Sequence, residues 1–142
     1  MSENRKLKYL KEVNIIADQT EFREKAKNMG EKAKTLFKDK AQMKNLENIA
    51  NSSMKITDIL NFIKRQTGKD KDRKNWYRNN FGPDLLDIME GYLAGASTSV
   101  KQNLEVTDHA EQMLIDLLIV REFIRQVVIH YEYRTVGQEQ EA

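Results

Sequence analysis

Apolar side chains recur every three to four positions through most of the chain, and nowhere do they alternate with polar ones for more than a few residues. That period predicts helices and no sheet. From Thr20, a residue suited to cap a helix, Phe22, Ala26, Met29, Ala33, Leu36 and Phe37 hold one stripe. Lys25, Lys27, Lys32, Lys34 and Lys38 take much of the remaining surface. Met43, Leu46 and Ile49 continue in a shorter helix ending near Ser52 and Ser53. Ile56, Ile59, Leu60 and Ile63 mark a third, capped by Ser53 or Thr57 and stopped by Gly68. Pro83 and Asp84 suit the first turn of a fourth, which runs to about Ala96 before the polar segment "STSVKQNLEV". The last and longest helix starts at Thr107 or Asp108 and reaches about Arg134, with Gly137 beyond it. The expected fold is all-α: a single-domain bundle of about five helices with a long apolar C-terminal helix. Residues 1–19 and 136–142 are expected to flank it in looser order.

Two helices carry patterns that ask for neighbours. In the terminal one, Met113, Leu114, Leu117, Leu118, Phe123, Ile124, Val127, Val128 and Tyr131 belong to one stripe, while Ile115, Ile119, Val120 and Ile129 lie off it. A helix apolar on more than one side is surrounded by protein. Either it is the centre of the bundle, or Ile115, Ile119, Val120 and Ile129 form a subunit interface and the protein self-associates. In the fourth helix, Gly91 and Gly95 are four apart on one face, and each interior glycine costs about 1 kcal/mol relative to Ala. A closely crossing helix would explain them, and Gly95→Leu would then overpack it.

Composition narrows the chemistry. A chain of 142 residues with one Pro fits one domain. It has no Cys, which excludes disulfides, thiol nucleophiles and Cys-ligated zinc, and suits a reducing cytoplasm. The N-terminal apolar patch is broken by Lys11 and Glu12, unlike a signal peptide, and Asp116, Arg121, Glu122 and Arg125 interrupt the most apolar helix, so no membrane span is expected. His109 and His130 are the only histidines. Glu105 and His109 share the spacing of a ligand pair, but no second pair accompanies them, and nucleotide and nucleophile signatures are missing. No catalytic residue, metal or cofactor is assigned; an enzyme built on Glu105, Asp108 and His109 is the weakest reading.

The overall charge of +2 conceals a division. Residues 1–80 hold 20 Lys and Arg against 11 Asp and Glu, net +9, whereas residues 81–142 hold 4 against 11, net −7. A basic half gathered on one face would attract phosphate; halves packed together would neutralise each other. Lys64, Arg65, Lys69, Lys71, Arg73, Lys74 and Arg78 crowd into one stretch beside Asp70 and Asp72, ending at Trp76 and Tyr77. As a connection between helices this is a solvated loop with Trp76 plugging the core. As a binding surface its cations contact RNA phosphates and Trp76 stacks an unpaired base.

Three segments together resemble a known family, the small all-helical subunit of type III-A CRISPR (Csm) effector complexes. "KITDILNFI" (55–63) is similar to its early helix, with Asn61 where a basic residue is usual. "GPDLLDIMEGYLAGAS" (82–97) resembles its middle helix, with Tyr92, Ala94 and Gly95 in order and Ala96 where a basic residue often follows. "EFIRQVVIHYEYRTVG" (122–137) resembles its last helix. The resemblance implies a non-catalytic antiviral-defence protein that contacts guide and target RNA and neighbouring effector subunits, including copies of itself. A helical protein–protein adaptor without nucleic-acid binding is the alternative.

Overall fold

Where the sequence suggested loose order near the N-terminus, the computed structural model, which describes residues 3–69 and 75–133, begins with a packed helix. α1 (Glu3–Ala17) buries Tyr9, Val13, Ile16 and Ala17. Their spacing is helical, and the intervening Lys11 is exposed. Arg5 on α1 reaches the Glu111 carboxylate at 3.2 Å. Tyr9 bonds the same carboxylate, and burial, together with the nearby Glu111 charge, pushes its phenol above the ordinary value. A buried acid is thus partnered twice from α1.

α2 (Thr20–Leu36) follows the sequence stripe closely, burying Phe22, Ala26, Met29, Ala33 and Leu36. Gln19 occupies its capping position, so Thr20 lies inside the helix. α3 (Ala41–Ser52) turns Met43, Leu46 and Ala50 inward, and α4 (Ile56–Gly68) buries Ile59 and Ile63. Neither Ser53 nor Thr57 caps α4; Lys55 holds that position without a side-chain bond. α5 (Phe81–Ile88) passes through a π turn (Met89–Leu93) directly into α6 (Ala94–Asn103). The polar segment after Ala96 is therefore helical to Asn103, because Ser97 and Val100 continue the buried face of Met89 and Leu93. Ser97 survives burial by donating to Asp116, which also receives Lys101 Nζ at 2.9 Å. α7 (His109–Glu132) is capped by Asp108, whose carboxylate accepts from the Ala110 amide. With α5 and α6 counted as one continuous rod, the described residues form six helical rods rather than about five, and no strand. Arg134, Gly137 and the tail 136–142 lie outside the described residues.

α7 is the axis of the bundle. It packs against α1, α2, α3, α4 and α6, which accounts for its broad apolar surface. Ile115, Ile119 and Val120, candidates for a subunit interface, are buried inside the chain, whereas Ile129 is 47% exposed. Arg121, a charge in the most apolar helix, donates to the carbonyls of Ala50 (2.8 Å) and Ser53 (2.6 Å). A cation there meets the negative end of α3.

The glycines reverse the expectation. A Cβ at Gly91 or Gly95 would meet nothing within 4 Å, so among the described residues no helix crosses there and no contact requires either glycine. Gly95→Ala should therefore stabilise the protein by about 0.4–1 kcal/mol through helix propensity and a less disordered unfolded chain. A lower melting temperature would contradict this. The close crossing lies instead at Gly30, where an added Cβ would come 2.5 Å from His130 Cβ and 2.6 Å from the Val127 carbonyl oxygen.

Candidate nucleic-acid interface

The basic stretch starts on the solvent face of α4. Ile59 and Ile63 take the buried side, which leaves Lys64 and Arg65 exposed, followed by Lys69 just past the helix end. Lys71, Arg73 and Lys74 lie outside the described residues. The chain then returns through three left-handed asparagines, Asn75 (φ 69°), Asn79 (φ 51°) and Asn80 (φ 58°). Asparagine tolerates this region better than most residues, which lets the chain turn back within a few positions. Asn75 Nδ2 also donates to the Leu36 carbonyl at 2.7 Å, tying the return to the end of α2.

Trp76 anchors this segment from inside. It is fully buried, and its Nε1 donates to Gln42 Oε1 at 2.7 Å. Its ring centroid lies 5.5 Å from Phe37, 6.0 Å from Phe62 and 5.5 Å from Phe81. Such tilted and edge-on arrangements are those aromatic rings favour. A ring enclosed this way cannot stack a base, so Trp76 leaves the set of RNA contacts and joins the core. Gly82 completes the anchor: its amide donates to the Trp76 carbonyl at 2.7 Å, and a Cβ there would overlap Thr67 Oγ1. The end of α4 and the start of α5 are thereby held in contact.

Around that anchor, Arg78 is exposed and lines a cleft of about 330 Å³ with Lys38, Asn75 and Gln42. Part of the nearby charge is neutralised within the chain. Lys32 Nζ contacts the Asp84 carboxylate at 2.7 Å and the Asn79 carbonyl at 3.0 Å, and Lys64 approaches Glu90 at 3.8 Å. With Arg5–Glu111, these pairs link the basic half of the chain to its acidic half. Lys64, Arg65, Lys69 and Arg78 are thus exposed, while Trp76 is buried in the core.

A second basic surface was not singled out by the sequence pattern. Arg23, Lys27 and Lys34 of α2 line a cleft of about 550 Å³ whose other wall is Ile129, His130 and Tyr133 at the end of α7. Lys34 Nζ sits 5.7 Å from the Tyr133 ring centroid. The spacing of the cations on α2 was legible, but not their pairing with Tyr133. That depends on Gly30, which lets the last turn of α7 lie against α2.

Among the described residues no group of three or more His, Asp or Glu is placed to hold a metal ion. Glu105 adopts a left-handed conformation (φ 54°) before α7 begins, so it does not share a helical face with His109. Among the described residues no helix is long and apolar enough to cross a membrane. Comparison of the chain with protein-family models, curated proteins and solved structures returns no match.

Proposed function

We propose that the protein is a non-catalytic, RNA-contacting helical subunit, similar in role to the small subunit of type III-A CRISPR effector complexes. The observation that carries this reading is that Lys64, Arg65, Lys69 and Arg78, close together in sequence, are all exposed while Trp76 is buried in an aromatic anchor. An uncommitted loop needs only polarity; neighbouring cations on a fixed support repel one another unless a polyanion compensates. Such contacts position a phosphate backbone without reading its sequence.

Replacing Lys64, Arg65, Lys69 and Arg78 together by Ser should leave the fold intact, because all four are exposed. It should weaken binding to unrelated RNA sequences alike, and reduce the slope of log affinity against log salt by about 0.7 per lost single-strand contact, so about 3 in all. Fluorescence anisotropy over a salt series reads both quantities. A folded variant with unchanged affinity and slope would refute the RNA reading.

A protein–protein adaptor is the second reading, favoured by the pairs Arg5–Glu111, Lys32–Asp84 and Lys64–Glu90, through which the two charge halves partly neutralise each other. Partner binding of that kind, through apolar contacts, would vary little with salt.

A further inference from the structure

The α2–α7 cleft has the parts of a single-strand binding site. At 100° per residue, Arg23, Lys27 and Lys34 fall on one line of α2 about 40° wide, extending about 16 Å along the axis. The cleft also carries Glu24 and Glu31, but these lie on a parallel line centred about 70° further round. Gly30 borders the cation line on the opposite side, and there it meets α7 at His130. The cations therefore occupy the edge nearest Tyr133, and the two acids the edge away from it. Tyr133 is 61% exposed, with Lys34 beside its ring, so a base can lie against the ring while the ammonium meets a phosphate. Arg78 lies in a separate cleft with Thr35 and Lys38, which shares no lining residue with this one.

We propose that this cleft is a track for single-stranded RNA, with Arg23, Lys27 and Lys34 contacting phosphates and Tyr133 stacking an unpaired base. This rests on the RNA-contacting reading and adds the class of RNA and the residue that selects it. Stacking requires a splayed base, which a duplex does not offer. The exposed tyrosine takes the role that Trp76, enclosed in the core, cannot fill.

The test uses the full chain with a fluorescein-labelled oligouridine and a duplex RNA of equal length. Tyr133→Ala should weaken oligouridine binding about 5- to 150-fold, with no change in salt slope and none in duplex affinity. Tyr133→Phe, which keeps the ring, should bind as the native protein does. Lys27→Ser with Lys34→Ser should lower the salt slope by about 1.4. If Tyr133→Ala binds oligouridine normally while the Lys64, Arg65, Lys69 and Arg78 replacement does not, the track is refuted and the RNA-contacting reading stands. Equal losses on single strand and duplex, or failure of Tyr133→Phe to restore binding, also refute it. Absence of binding by the native protein to either RNA overturns both.

Discussion

Trp76→Ala should destabilise the protein by about 3–5 kcal/mol, the loss typical of deleting a large aromatic from a packed core. Three rings, Phe37, Phe62 and Phe81, lose their common partner, and they come from three separate regions of the chain that cannot all move inward to fill the space. Gln42 also loses the donor to its side-chain oxygen, leaving a part-buried acceptor to find water. Against a total stability of about 5–15 kcal/mol for a typical domain, this is a large fraction. Trp76→Phe separates the contributions: it keeps most of the apolar contact and removes only the Nε1 donor, so its loss should be much smaller. Because Trp76 is the only tryptophan, unfolding is followed by far-ultraviolet circular dichroism in a denaturant series. Native-like stability of Trp76→Ala would contradict the enclosed position of the ring. RNA affinity should fall with Trp76→Ala only in proportion to the unfolded fraction, since the ring touches no ligand.

Gly30→Ala should be destabilising by about 1–3 kcal/mol or more, although the same exchange at Gly95 is expected to stabilise. The new methyl would lie 2.5 Å from His130 Cβ, 2.6 Å from the Val127 oxygen and 3.0 Å from the Tyr131 amide nitrogen. Two of these are backbone atoms that no rotamer change can remove, so the end of α7 must move away. Helix propensity favours Ala by about 1 kcal/mol, which the clash outweighs. The displacement would disturb the bond from Tyr131 Oη to the Phe37 carbonyl (2.9 Å), and would separate Tyr133 from the cations of α2. Thermal melts of the Gly30→Ala and Gly95→Ala variants should move in opposite directions; an unchanged or raised melting temperature for Gly30→Ala would show that the crossing is not tight.

The helices most legible in the sequence are those with a repeated apolar face. α2 buries five of the residues that its stripe named, and α4 buries Ile59 and Ile63 as its pattern required. α1 carries the same helical spacing in Tyr9, Val13, Ile16 and Ala17, but Lys11 and Glu12 interrupt its apolar run and weaken the local signal. The helical run through Ser97 was hidden because a buried serine breaks an apolar pattern, and its partner Asp116 comes from another helix. In the candidate interface, the exposure of Lys64, Arg65 and Lys69 followed from the burial of their neighbours on α4. The enclosure of Trp76 did not follow from any local pattern.

By itself the sequence determined the helical class, the inward faces of its main helices and the uneven distribution of charge, because these follow from residue type and local spacing. Only the tertiary structure decided which neighbour covers each face. It put Ile115, Ile119 and Val120 in the centre, opened the surface at Gly91 and Gly95, closed it at Gly30, and set Tyr133 beside Lys34. Each of these outcomes depends on contacts between residues far apart in the chain, and a helical period reports which side is apolar without reporting what lies against it.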